Sequence, residues 1–141
     1  MNRVIKFRIW DEQEKTMPFV GFHLFGEATI FHLIDQYAFE TKGEKDTLLR
    51  YNDFKEMQFI GLLDKNGMEI YEGDIAQWID VDENGKDFPI IAPMEWQQNN
   101  AQFRFNTSNY PPQYKKVRPE DVEVIGNIYE NKNLLHDRTN I

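Results

Sequence analysis

The chain has 141 residues, contains no cysteine and carries a formal net charge of −8 from 16 basic and 24 acidic residues. This length suits one domain, and without cysteine the chain forms neither a disulfide, nor a thiolate nucleophile, nor a cysteine metal site. Because phosphate backbones attract clustered Lys and Arg, the negative charge argues against nucleic acid as a partner.

The N-terminal residues and the longer apolar runs contain no targeting or membrane signal. Charged side chains interrupt residues 1–8, so no signal peptide is predicted. No run approaches the roughly 20 apolar residues of a membrane span. We therefore expect a soluble protein, and the lack of cysteine fits a reducing cytoplasm.

Alternation marks the first predicted strand. Ile5, Phe7 and Ile9 are apolar and are separated by single residues that include two cations. This period of two predicts a strand with one apolar face. Residues 11–15 are polar, and we expect them to turn.

Two apolar runs, residues 19–25 and 29–34, flank Gly26-Glu27 and predict a hairpin, because glycine at the first central position suits a type II′ turn. The second run also fits a helix, with apolar residues at i, i+3, i+4, i+7 and i+8 from Ile30. Its β-branched and aromatic residues are poor helix formers. We favour a strand and leave residues 28–38 open between the two.

Asp64-Lys65-Asn66-Gly67 is the clearest local signal in the rest of the chain. Asn-Gly tolerates positive φ at two successive positions, which a type I′ hairpin turn demands. Prolines in residues 106–119 exclude a central strand there, and a short helix is expected to begin at Leu134. Alternating apolar residues predict five further strands, within residues 57–63, 75–79, 94–96, 101–105 and 122–128.

Short strands at near-regular spacing, together with an aromatic content of 14%, favour sheet over helix. The predicted fold class is mainly β, a small barrel-like or sandwich domain built from short antiparallel hairpins with little helix. We predict a single domain over residues 1–141, with residues 136–141 as a fraying tail.

Three stretches in order, residues 5–11, 57–75 and 124–131, resemble the YopX family of bacteriophage and prophage proteins. The most specific is the middle one, which reads MQFIGLLDKNGMEIYEGDI. Ile60, Leu63 and Lys132-Asn133 depart from the family pattern, which usually has Thr, a basic residue and Pro-Glu there. The resemblance implies a compact β-barrel-like fold, an origin in phage or prophage DNA, and the bacterial host as the cellular setting. It implies no reaction.

Candidate metal-binding residues do not complete a site. Residues 80–85 match the first half of a calcium-binding EF-hand loop, but Ile91 stands where a bidentate Glu is needed. We interpret residues 80–87 as an acidic turn and leave cation binding there open. His23 and His32 would lie on paired arms of the predicted hairpin, without a third ligand. No metal and no cofactor are predicted.

Catalytic patterns are also missing from the sequence. Ser108 is the only serine, and it lacks the glycine elbow of acyl-transfer enzymes. No glycine-rich phosphate loop occurs. Carboxylates are plentiful, but nothing in the sequence suggests a cleft that raises a pKa. We therefore predict that the protein is not an enzyme.

The acidic residues concentrate in residues 64–87, which form either a solvated face or a docking surface for a basic protein. The candidate contact patch consists of four carboxylates: Glu72, Asp74, Asp80 and Asp82. Trp78, Trp96 and Tyr110 either line a binding groove or, as we favour, fill the interior.

The predicted function is that of a protein-binding or structural module with an unidentified protein partner. Edge strands make a homo-oligomer plausible. The alternatives are a nucleic-acid-binding small barrel and a metal-dependent hydrolase.

Overall fold

The computed structural model describes residues 4–23, 32–34, 36–37, 53–114 and 117–136. Half of the described residues are in strands, in two antiparallel four-stranded sheets, one of which curls into a half-barrel. The predicted mainly β fold class with little helix is therefore confirmed. None of the helices among these residues has the length and apolar character needed to cross a membrane.

Eight strands follow one another along the chain. They are β1 (Phe7–Asp11), β2 (Thr16–Phe22), β3 (Phe54–Leu63), β4 (Glu69–Tyr71), β5 (Asp74–Val81), β6 (Asp87–Gln97), β7 (Gln102–Phe105) and β8 (Glu123–Asn127). The strand orders are β2-β1-β3-β4 and β7-β6-β5-β8. Short 3₁₀ turns at Pro112–Tyr114 and Pro119–Asp121 lie in the proline-containing loop, and a helical turn at Asn133–His136 follows β8. The predicted tail helix is confirmed.

The chain divides into two compact units, Met1–Gln58 and Phe59–Ile141. The long strand β3 contributes to both, because its first half pairs with β1 and its second half pairs with β4. The single domain expected from the sequence stays a prediction. Most of the predicted tail, residues 137–141, lies outside the described residues.

In the first unit, β1 and β2 form a hairpin, and β3 pairs on the other side of β1. The predicted first strand is confirmed, although Ile5 precedes it and is 49% exposed. The core of this unit contains buried Ile9, Ile34 and Phe54, with aromatic rings packed around them. The small core thus combines two strand residues, Ile9 of β1 and Phe54 of β3, with one non-strand residue, Ile34.

Residues 32–34 and 36–37 are helical, so the strand favoured for this run is wrong. The helical alternative explains the burial: Ile34 is fully buried, and the Tyr37 ring packs edge-on against Phe19 and Phe54. Packing of this stripe outweighs the weak helix propensity of its residues. The predicted turn at Gly26-Glu27 lies outside the described residues.

In the second unit, β5 is a central strand that pairs with β6 along its length and with β8 on the other side. Alternation places Ala76 and Trp78 on the inner face of this sheet. The predicted strands of this region are confirmed. The core consists of eight buried residues: Ile70, Ala76, Trp78, Ile90, Ala92, Met94, Phe105 and Val122.

The hairpin between β3 and β4 turns at the predicted place but not with the predicted geometry. Gly67 has a φ of 81°, whereas Asn66 keeps a negative φ, so the type I′ prediction is wrong. The Asp64 N–H donates to the Met68 carbonyl (2.7 Å), and the Gly67 N–H donates to the Asp64 carbonyl (3.0 Å). This is a three-residue loop that ends in a left-handed glycine.

Candidate functional site

A groove of about 930 Å³ lies in the second unit. All four residues of the edge strand β7 line it, together with the end of β5. Ile60 and Leu62 of β3, together with residues 117–119 and Asp121, complete its walls. A cleft of this size suits a ligand or a peptide segment.

The floor of the groove is the edge of the apolar core. Trp78, Met94 and Phe105 are buried, with the Trp78 and Phe105 rings 5.3 Å apart. The three side chains meet on one face of the sheet. Trp78 is on β5, and Met94 and Phe105 are cross-strand partners on β6 and β7. Leu62 and Ile79, which also line the groove, are 49% and 62% exposed. The groove therefore offers apolar surface that the second unit does not cover.

Trp78 also carries an unsatisfied polar atom. Trp78 is 6% exposed, and its Nε1 has no hydrogen-bond partner within the described part of the chain. Buried donors of native proteins are nearly always paired, and an unpaired donor is costly.

Four charged side chains line the groove, and their charges balance: Asp80, Arg104, Arg118 and Asp121. Arg118 lies within 3.9 Å of Glu120, and both side chains are largely exposed, so this pair contributes little. Arg104 is half-buried and takes part in none of the ion pairs found among the described residues. Arg104 is thus the cation best placed to receive an acidic group.

The four carboxylates predicted as one contact patch are not brought together. Glu72 and Asp74 lie at the start of β5, while Asp80 and Asp82 lie at its end, about 20 Å away at the usual rise per residue. Asp74 is 2% exposed and accepts the Tyr71 N–H at 2.7 Å. Only Asp80 lines the groove.

The acidic sequence that resembles half of an EF-hand forms a hairpin turn. The Asp82 Oδ1 accepts the N–H groups of Asn84 (2.8 Å) and Lys86 (2.9 Å), and Gly85 has a φ of 76°. The same bonds occur at Asp64, so the D-x-N-G pattern is a turn motif here. In the described ranges, no three His, Cys, Asp or Glu side chains are grouped to hold a metal.

The two histidines predicted to face each other do not share a hairpin. His23 follows β2, and its Nδ1 is 2.8 Å from the Ile5 carbonyl oxygen. His32 is helical and exposed. The prediction of paired strand arms at these positions is wrong because the second arm is a helix.

The aromatic residues divide between the two predicted roles. Trp78 fills the interior and also lines the groove, whereas Tyr110 packs on Phe88 and bonds the backbone of Ile91 through its hydroxyl. Trp96 is 47% exposed. Sequence reasoning missed Arg104 as a groove residue, because only the strand order places β7 at an edge.

Comparison with known proteins gives a family and a fold. The sequence profile of the YopX protein family matches residues 6–136. No curated protein matches the chain. The crystal structure of protein EF1440 from Enterococcus faecalis is similar, with a TM-score of 0.60 and 23% identity over 95% of this chain and 99% of that one. At that identity, the likeness shows the fold.

Proposed function

We propose that this chain, which belongs to the YopX family, is a protein-binding module whose interface is the groove beside β7. The observation that supports this proposal best is that the exposed apolar side chains Leu62 and Ile79 border one groove whose floor is the buried core. Exposed apolar side chains beside a buried apolar floor match the core of a protein interface, from which a partner excludes water.

The balanced charge of the groove favours a protein partner over nucleic acid. Two arginines and two aspartates line it, so it presents no basic stripe to a phosphate backbone. Glu72, Asp80 and Asp82 remain candidates for a secondary contact with a basic partner. We further propose, from the family resemblance, a phage or prophage origin and the cytoplasm of the bacterial host. Self-association stays a prediction.

The test is affinity capture with the tagged full-length protein in the bacterial host during prophage induction. We compare the wild type with Leu62→Lys and Ile79→Lys, which place a charge in the groove at exposed positions. Met68→Lys is the matched control, because Met68 is 53% exposed and does not line the groove. Circular dichroism checks that every variant folds.

We expect a specific protein that is retained by the wild type and by Met68→Lys, and is reduced at least tenfold by both groove variants. Binding of the purified partner should show the same order. Equal capture by all four proteins would contradict the proposal. Capture that nuclease treatment abolishes would indicate a nucleic-acid partner and would also overturn it.

A further inference from the structure

The strand β7 has an open edge. It is the outermost strand of its sheet, and among the described residues it pairs only with β6. The Asn106 N–H donates to the Pro93 carbonyl at 2.8 Å, one position beyond the pair Met94 and Phe105. Because hydrogen-bonded and non-hydrogen-bonded pairs alternate in antiparallel sheets, the backbone groups of Phe103 and Phe105 point away from β6.

The groove runs along this open edge. Four consecutive residues of β7 line it, which the side chains of a single sheet face would not do because they alternate. Across the described ranges, no backbone hydrogen bond beyond the β6–β7 ladder involves Phe103 or Phe105. Two N–H and two C=O groups, spaced as in a β-ladder, therefore border an apolar groove.

We propose that the groove receives an extended segment of a partner protein, which pairs antiparallel with β7 as a fifth strand of the sheet. This inference rests on the proposed function and specifies its ligand. The segment has an apolar–acidic–apolar sequence at its centre. Addition of a strand at an exposed edge is an established mode of peptide recognition, in which the backbone bonds supply affinity and alternate side chains supply specificity.

The side-chain preference follows from the two faces of β7. Phe103 and Phe105 share the inner face with Trp96 and Met94, their cross-strand partners. Partner residues opposite them therefore project towards the apolar floor and should be apolar. The partner residue between them lies opposite Arg104 on the outer face. Opposite charges at directly facing positions stabilise a sheet, so an acidic residue fits there.

Charge also decides against a second copy of this chain as the occupant. If β7 paired with β7 of another copy so that both Phe103 and Phe105 were bonded, residues 103 and 105 would face each other across the pair. Arg104 would then lie directly opposite Arg104 of the other copy. Like charges at such positions destabilise a sheet, whereas an acidic residue of a different sequence would be attracted.

The experiment selects ligands for the full chain from a library of random ten-residue peptides and measures the dissociation constants of the selected peptides by fluorescence anisotropy. We expect peptides with the apolar–acidic–apolar centre. Arg104→Glu should weaken their binding at least tenfold, and replacing the central acidic residue by lysine should restore it. Lys132→Glu is the matched control with the same charge change, because Lys132 is exposed and does not line the groove.

Backbone methylation tests the strand pairing itself. An N-methyl group on either apolar residue removes a donor to β7 and should weaken binding at least tenfold. The same group on the central acidic residue should have little effect, because that N–H points away from β7. Equal effects at all three positions would overturn the inference.

The remaining outcomes separate this inference from the proposed function. Peptides that lose binding in Leu62→Lys, but tolerate both N-methylation and Arg104→Glu, would overturn strand addition and leave a protein-binding groove. Failure to select any peptide that depends on Leu62 would overturn the inference as well. A dimer in solution, seen by sedimentation and broken by Leu62→Lys, would overturn it in favour of a second copy.

Discussion

Single aspartates organise the turns of this protein. The Asp64 and Asp82 side chains each accept two backbone N–H groups of their own turn, through Oδ1 in both cases. Asp64 differs because its Oδ2 also accepts the Val124 N–H at 2.9 Å, which ties the hairpin to β8. Asp64 is 5% exposed, so its three bonds are shielded from water.

Substitution of the two aspartates should therefore have unequal effects. Asp64→Ala leaves three shielded N–H groups without an acceptor and should lower the free energy of unfolding by about 3 kcal/mol. Asp82→Ala leaves the N–H groups of Asn84 and Lys86 to water and should lower the free energy of unfolding by about 1 kcal/mol. Urea unfolding followed by tryptophan fluorescence measures both. Equal losses would contradict the role of Val124.

Asp64 should also give the protein a specific acid sensitivity. Burial raises the pKa of its carboxyl, but the N–H groups of Val124, Met68 and Asn66, helped by Lys65, outweigh burial and hold the pKa below its ordinary value. A lowered folded-state pKa means that the carboxylate stabilises the fold at neutral pH, and that this contribution is lost as the pH falls below about 4.

The measurement is the free energy of unfolding of wild type and Asp64→Asn between pH 7 and pH 2.5. Because asparagine does not titrate, we expect the wild type to lose its advantage over the variant as the pH falls through that acidic window. A constant difference between the two proteins over the whole range would rule out this role for the carboxylate.

At the scale of elements, local pattern predicts the strands, but packing decides the exceptions. The alternation around Met57 and Phe105 is a local property, and the corresponding strands are present. The helical conformation of residues 32–34 and 36–37 depends on burial of Ile34 against Phe54, twenty residues later. The helix propensities of these residues carry no information about that contact. The helical alternative, which we did not favour, is therefore the correct one.

The candidate site was less predictable than the strands. β7 is an edge strand because β8 pairs with β5 instead, and β8 begins only at Glu123, well after the end of β7 at Phe105. The four carboxylates of the predicted patch are separated for a related reason: residues close in sequence lie at opposite ends of an extended strand. Sequence identified Trp78, but its unpaired Nε1 is visible only in three dimensions.

The turn after β8 offers a test of packing at an element boundary. A Cβ on Gly126 would lie 2.8 Å from the Cβ of Asn131, closer than real side chains approach. Asn131 Oδ1 also accepts the Asn127 N–H at 3.2 Å. Gly126→Ala should therefore cost about 1–3 kcal/mol by displacing Asn131.

The partner variant Asn131→Gly identifies the cause. In that background, the additional loss from Gly126→Ala should fall by at least half, as measured by thermal or urea unfolding. Gly85→Ala is the control, because Gly85 has a φ of 76° and open space around its Cα, so its cost comes from backbone conformation. The cost of Gly85→Ala should not change in the Asn131→Gly background. A reduction of the cost of both glycine substitutions by Asn131→Gly would contradict this account.

At the scale of the whole molecule, charge limits the partners. With a net charge of −8, the full chain should not be retained on single- or double-stranded DNA or RNA, even at about 50 mM salt, where phosphate contacts are strongest. Filter binding or electrophoretic mobility measures this. Retention at low salt that falls steeply as salt rises would favour the nucleic-acid alternative instead.

The open edge of β7, beside a partly apolar groove whose lining charges balance, is the central feature of the second unit. Amide hydrogen exchange, followed by NMR on the full-length protein, tests it most directly. In the free protein, the amides of Arg104 and Asn106 should be protected by β6, while those of Phe103 and Phe105 exchange rapidly. A selected peptide should then protect Phe103 and Phe105. Equal protection of all four amides in the free protein, or no change at Phe103 and Phe105 when the peptide binds, would contradict the account.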